Sequence, residues 1–254
     1  MSYLPLLTMI ADEADKIARH YFRSTQLGSN MKADSTPVSE ADIAIEKMAR
    51  DLIRSQDTPM DVLGEEFELE NRQAEIRLII DPIDGTKNFI EGIPFFASLL
   101  AIEKGDKIIS ALISTPIFQD RWTAEAGKGA FLNGRSIRVS TVTDLTKSQI
   151  YYGSLFGSEA SKNAKPVVAL LSKSRRQRGY GDFYAPMGVA TGIADISFDY
   201  NLKPWDMAPI QLIVEEAGGR FTDLHGNPTI YSGHFLATNG ILHEEALSYL
   251  RDTI

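Results

Sequence analysis

Gly64-Glu65-Glu66 and, further on, Leu78-Ile79-Ile80-Asp81-Pro82-Ile83-Asp84-Gly85-Thr86 are the stretches on which the reading of this chain turns. The apolar run has the make-up of a buried strand, which Asp81 is expected to close. Pro82 fixes φ in the turn that follows, and Ile83 faces inward while offering its carbonyl. Glu65, Asp81 and Asp84 are thereby crowded about one tight turn. Carboxylates so placed repel one another unless protons or a cation lie between them, and oxygen donors suit a hard divalent ion such as Mg²⁺. Gly85 and Thr86 lead into Lys87-Asn88-Phe89, a turn able to present backbone amides to an anion. Metal acids beside an amide cradle make a site for phosphate chemistry. The structural alternative, a strand end followed by an ordinary Asp-Gly turn, suits a lone Asp-Gly pair better than this whole run with Glu65.

The 254 residues are 43% hydrophobic, enough for a substantial core in one large domain or two that share an interface. A formal net charge of −8 argues against a nucleic-acid surface, which needs clustered Lys and Arg. An acidic protein that handles phosphate must gather positive charge locally, as a bound metal does. There is no cysteine, hence no disulfide and no thiolate zinc site, and the four histidines show no metal spacing. Asp12, Glu13, Asp15 and Lys16 interrupt any signal-peptide core within residues 1–23, and no run reaches the ~18 apolar residues of a membrane helix. The expected location is the cytoplasm.

Leu6, Leu7, Ile10, Ala14, Ile17, Ala18, Tyr21 and Phe22 recur with helical spacing and predict a first amphipathic helix. A second follows Val38, with Ser39 and Asp42 in N-cap spacing and Ile45, Met48, Leu52 and Ile53 on its buried face. Strands are predicted at Arg77–Asp81, in a hairpin of Phe96–Glu103 with Lys107–Ser114, and at Arg121–Ala126 and Ala130–Val139, where Asn133-Gly134 makes a two-residue turn. This α+β half, residues 1–140, is expected to hold one helix pair and one antiparallel sheet. From there strands and helices alternate: strand Gln149–Ser154, a helix through Val167–Leu171, helix Tyr184–Ala194, strand Asp195–Asp199, helix Pro204–Ala217, strands Gly219–Asp223 and Phe235–Thr238, helix Leu242–Leu250. Residues 141–254 therefore read as an α/β half, with the boundary at Thr141–Lys147.

The string Asp81-Pro82-Ile83-Asp84-Gly85-Thr86, preceded by Gly64-Glu65-Glu66 and followed by Trp205-Asp206, resembles the inositol monophosphatase family of metal-dependent, typically lithium-sensitive phosphatases. Gly127-Lys128-Gly129-Ala130-Phe131-Leu132-Asn133-Gly134 is similar to its G-x-G-A-x-x-N-G hairpin, and Glu216-Ala217-Gly218-Gly219 to its E-A-G-G helix end. The resemblance runs along essentially the whole chain. It implies a layered α-β-α-β-α sandwich of the inositol monophosphatase and sugar phosphatase type, an active site between the halves, and a homodimer. It also implies that Glu65, Asp81 and the Ile83 carbonyl hold one Mg²⁺ and that Asp81, Asp84 and Asp206 hold another. Two or three ions in all are expected, with Mn²⁺ able to substitute. Asp42 and Thr86 resemble the pair that orients the attacking water, with Glu65 beside them, while the Gly85 and Thr86 amides would hold the phosphate. Asp206 also suits the first turn of a helix, Asp42 an N-cap box, and Lys32 either a site lysine or a surface cation.

Metal and phosphate contacts are generic, so the substrate must be read around its leaving alcohol. The candidate segment is Arg178-Gly179-Tyr180-Gly181-Asp182-Phe183-Tyr184, together with Asp199. Inositol-specific members tend to carry a small residue near Asp182 and a glutamate near Asp199, whereas R-G-x-G-D is similar to the histidinol-phosphate phosphatase branch. Extra carboxylates with Phe183 and Tyr184 suit a cationic, partly aromatic alcohol better than a neutral polyol. Asp182 also suits a helix cap ahead of Phe183. The resemblance thus implies a histidinol-phosphate phosphatase acting on a small phosphorylated metabolite. The alternatives are an inositol-1-monophosphatase or 3′(2′),5′-bisphosphate nucleotidase-like broad phosphatase and, outside enzymes, a regulatory binding protein of the same fold. Loss of a metal acid would favour the last, yet Glu65, Asp81, Asp84 and Asp206 are all present.

Overall fold

The computed structural model describes residues 2–24, 29–31, 37–56, 59–69, 74–153, 155 and 164–253. The helices are α1 (Leu4–Tyr21), α2 (Glu40–Arg54), α3 (Thr86–Ile90), α4 (Ala164–Lys173), α5 (Tyr184–Ala190), α6 (Pro204–Glu216) and α7 (His243–Leu250). Strands β1 (Ser29–Met31) and β2 (Pro37–Ser39) form a small antiparallel pair. A seven-stranded sheet follows in sequence order: β3 (Asp61–Gly64), β4 (Ile76–Asp84), β5 (Ala97–Lys104), β6 (Lys107–Thr115), β7 (Asp120–Glu125), β8 (Ala130–Leu132) and β9 (Arg135–Ile137). The second sheet is built from β10 (Gln149–Tyr152), β11 (Arg176–Arg178), β12 (Ile196–Tyr200), β13 (Arg220–Thr222) and β14 (His234–Thr238), in the order β11-β10-β12-β14-β13.

Side-chain alternation explains the layers. Along β4, Leu78 and Ile80 enter one core with Leu7, Ile10 and Ile45 of α1 and α2, while Ile79 enters another with Met187, Met207 and Ile213 of α5 and α6. The inner face of the second sheet meets α5 and α6 through Phe221 and Phe235. Its outer face packs Ile196, Phe198 and Leu236 against α4 and α7. The order is therefore helix, sheet, helix, sheet, helix, the layered α/β sandwich expected. Among the described residues, no helix is long and apolar enough to cross a membrane.

Four expectations are corrected. The first sheet is mixed, because β3 runs parallel to β4, and four residues are too few for alternation to reveal such a strand. Asp81 does not close β4: it pairs with Leu99, the register breaks, and pairing resumes between Asp84 and Ala97. Pro82 supplies no N–H to the ladder, and its carbonyl instead accepts the Ser98 hydroxyl at 2.7 Å, so the interruption is a bulge inside the strand. Helix α5 stops at Ala190, ahead of Gly192 at φ 72°, well short of Ala194. Strand β11, which pairs parallel with β10, is not among the expected strands; it ends at Arg178, the residue at which the stretch read as substrate segment begins.

Candidate active site

The bulge sets two acids in place. Asp81 and Asp84, on either side of Pro82-Ile83, are 2% and 9% exposed, and Ile83 is driven into the α1/α2 core. Chain reversal follows at Gly85, at φ 84°, where a Cβ would come within 2.9 Å of the Phe95 carbonyl oxygen. Glycine is thus required twice over, for its conformation and for the close approach. Helix α3 starts there, and the Thr86 hydroxyl donates to the Ile83 carbonyl at 2.9 Å.

Glu65 arrives from the end of β3 and Asp206 from the first turn of α6. The Lys203 N–H donates to Asp206 Oδ2 at 2.7 Å, so the helix-start role is real and leaves the other carboxylate oxygen for the site. Glu65, Asp81, Asp84 and Asp206 line one cleft of about 320 Å³, with Ile83, Gly85, Thr86, Lys87, Asn88 and Asp182. Larger hollows, of about 610 and 470 Å³, lie beside Arg121 and Tyr231 and contain none of these acids.

Burial first, then the neighbouring negative charges, raises Asp81 well above its ordinary value; Glu65, Asp84, Asp206 and Asp42 all contribute. Asp84 is likewise raised by burial, then by Asp182 and Asp206, although the Phe183 N–H opposes the shift. Burial lifts Asp206 to about 7 against the hydrogen bond from Lys203 N–H. Among the described residues no three acid or histidine side chains close into a finished metal cage. The donor set nevertheless fits a hard divalent cation. Its members are oxygen ligands, their mutual repulsion is what a cation relieves, and Asp81 Oδ1 is buried with no hydrogen-bond partner among the described residues.

Asp182 reaches the cleft from the opposite wall. It follows Gly181 and is itself left-handed, at φ 45°, a conformation Asp tolerates. The capping alternative fails, because Phe183 occupies the N-cap position and no side chain caps α5. Asp182 Oδ2 instead accepts Asn88 Nδ2 at 3.1 Å, and Asn88 also donates to the Phe95 carbonyl at 2.9 Å. Burial raises Asp182 to about 6, while Lys87 and Asn88 hold it lower than burial alone would. Asp199 lies behind, raised by burial to about 7 and within electrostatic reach of Asp182 and Asp206. Its carboxylate fills the space a Cβ on Gly153 would need.

Asp42 closes a capping box on α2: it is fully buried, and its Oδ2 accepts the Ser39 N–H at 2.8 Å and the Ser39 hydroxyl at 2.5 Å. Its charge also acts on Asp81, so capping does not remove it from the site. Lys32 lies outside the described residues. Sequence reading missed Asn88 as the tie between α3 and Asp182, and Ser98 as the partner of Pro82. No spacing rule marks either, because each acts between separate elements of the chain.

The chain matches the inositol monophosphatase family over residues 4–254 and belongs to it. It is 38% identical over 253 residues to a histidinol-phosphatase of Mycobacterium tuberculosis, covering 97% of both chains. It is 41% identical over 258 residues to a histidinol-phosphatase of Streptomyces coelicolor, covering 97% of this chain and 96% of that one. The structure superposes on the extragenic suppressor protein SuhB of Bartonella henselae with a TM-score of 0.92 at 31% identity, over the full length of both chains. The protein is a phosphatase of a metal-dependent family, and its substrate is a small phosphorylated molecule.

Proposed function

We propose that this phosphatase hydrolyses histidinol phosphate with Mg²⁺, for which Mn²⁺ can substitute. The observation that carries the substrate is Asp182, a half-buried carboxylate on the wall of the acidic cleft, held by Asn88 and backed by Asp199. Histidinol phosphate presents an ammonium and an imidazole to that wall, and a neutral polyol does not. Similarity to two histidinol-phosphatases over nearly the whole chain supports the same reading.

Glu65, Asp81, Asp84, Asp206 and the Ile83 carbonyl would hold two or three ions. When bound, such ions supply Lewis acidity to the phosphoryl group and to water. The chain's own groups account for the rest. The hydroxyl proton of Thr86 is committed to the Ile83 carbonyl, so Thr86 faces water as an acceptor and can orient it. Asp42, buried within electrostatic reach of Asp81, takes up the proton released. The first amides of α3, behind Gly85, have no partner within the helix and are disposed to hold phosphate oxygens.

A phosphate-release panel of histidinol phosphate, inositol 1-phosphate and adenosine 3′,5′-bisphosphate tests the proposal. The highest kcat/KM is expected for histidinol phosphate. A preference for either other ester would favour the broad phosphatase, and no release from any of the three would favour the binding protein.

A further inference from the structure

Behind the acidic cleft lies a buried ion pair that no part of the chemistry uses. The Glu46 carboxylate of α2 is fully buried, and Arg50, one turn on, is 5% exposed. Arg50 donates to Glu46 Oε1 from Nε at 3.0 Å and from an Nη at 2.8 Å. The pair does not stop at its own helix. Glu46 Oε2 accepts the Glu66 N–H at 2.7 Å, Oε1 accepts the Phe67 N–H at 3.3 Å, and Arg50 donates to the Phe67 carbonyl at 3.0 Å. On the other side of Glu65, the space a Cβ on Gly64 would fill is taken by the same carboxylate, whose atoms lie within 2.5 Å of that point.

We propose that Glu46, braced by Arg50, is a positioning residue that fixes Glu65 by seating the backbone on both sides of it. Gly64 bears on the carboxylate through contact, and Glu66 through a charge-assisted hydrogen bond. Glu65 is the one residue between them, so its Cα has little freedom to shift. A site acid needs this help because its neighbours push it away: Asp81 feels the charge of Glu65 directly. A loop free to relax would swing Glu65 outward in the ion-free protein and would have to be drawn back on binding. A charge of the same sign makes an improbable strut unless it is neutralised, and that is the work of Arg50. The pair also explains why Gly64, at the end of a strand and without a left-handed φ, cannot carry a side chain.

The proposal rests on Glu65 being an ion ligand, so its test measures ion binding directly. Mn²⁺ binding to the full-length protein is followed by calorimetry and by electron paramagnetic resonance, in wild type, Glu46→Gln, Gly64→Ala and Ile53→Val. The last trims the buried face of α2 away from the loop and controls for lost helix stability. Glu46→Gln and Gly64→Ala are expected to weaken Mn²⁺ binding at least tenfold, and Ile53→Val to leave it unchanged. Wild-type affinity in either of the first two variants, or equal weakening in all three, would overturn the proposal. Failure of the wild type itself to bind Mn²⁺ would instead overturn the ion reading beneath it. Should neither substituted loop fold, amide exchange in the ion-free wild type decides: slow exchange at Glu66 and Phe67 is expected, and exchange at the rate of unstructured amides would refute the brace.

Discussion

The Asp84 carboxylate accepts the Phe183 N–H at 2.6 Å, joining positions 99 residues apart. One oxygen of a cleft acid thus fixes the start of the segment that carries Asp182, and Asn88 ties the same two regions a second time. The acidic cleft and the wall that carries Asp182 are tied at two points. Any shift of β4 moves both.

Substitution at Asp84 separates these duties. Asn keeps an acceptor for Phe183 but removes a charge that burial and neighbours already disfavour. Asp84→Asn should therefore melt no lower than wild type in chelator, while losing both activity and the rise in Tm that Mg²⁺ gives. Asp84→Ala also strands the Phe183 N–H, at a cost of about 1–3 kcal/mol, or about 2–4 °C of Tm per kcal/mol in a domain of this size. Thermal unfolding with and without Mg²⁺ checks the pair; equal melting of the two variants would remove Asp84 from the tie.

The acids predict an unusual pH dependence for the ion-free protein. Asp182 is raised to about 6, and Asp199 and Asp206 to about 7, from an ordinary value of 3.8. The folded state therefore binds more protons than the unfolded state across that window, and stability falls as pH rises through it. In chelator, Tm should drop between about pH 4 and about pH 7, and Mg²⁺ should restore it mainly at the upper end, where protons no longer compete. A flat profile in chelator would deny the crowding. Asp81→Asn should abolish turnover and leave the fold intact.

Much of this was legible in the sequence because it depends on local pattern. The helix faces of α1 and α2, the apolar run of β4 and the Asn133-Gly134 turn follow from spacing and turn chemistry, and Asp81 and Asp84 from their position around Pro82, whereas Asp206 came only with the family resemblance. What escaped depends on neighbours distant in sequence. The four residues of β3 gain their meaning only from the parallel partner β4. The bulge at Pro82-Ile83 appears when Asp84 finds Ala97, and Glu46 looks like half of an ordinary i,i+4 pair until Gly64 and Glu66 close on it. Asp182 suited a cap by residue type, yet its left-handed backbone turns it to Asn88 instead.

Asp42 caps α2, and the proposed function gives it a second duty in catalysis; one substitution weighs the two. Asn retains an oxygen for the Ser39 N–H, so Asp42→Asn should cost no more than about 0.5–2 kcal/mol, the range for a lost cap. Losing the proton acceptor proposed for the reaction should lower kcat about 10²–10⁴-fold. Steady-state kinetics and thermal unfolding on the same preparation make the comparison. Near-normal kcat with a large loss of Tm would assign the acid to the helix alone.

The substrate wall gives the last prediction, and the structure has sharpened it by removing the capping role of Asp182. With no helix N–H to satisfy, that carboxylate is held only by Asn88 among the hydrogen bonds of the described residues, and its cleft-facing charge is opposed by Lys87. Asp182→Asn should leave the fold in place, since Asn keeps an oxygen for Asn88 and also tolerates a left-handed φ. A charge-assisted contact to a cationic alcohol is worth about 1.5–3 kcal/mol, so kcat/KM for histidinol phosphate should fall roughly 10–150-fold. Glycerol 2-phosphate, whose alcohol is neutral, never makes the contact and should be hydrolysed at close to the wild-type rate. The ratio of the two losses is the measurement. Equal losses for both esters would mean that Asp182 acts on the ion site through Asp84 rather than on the leaving group, and the broad phosphatase would then be the better description.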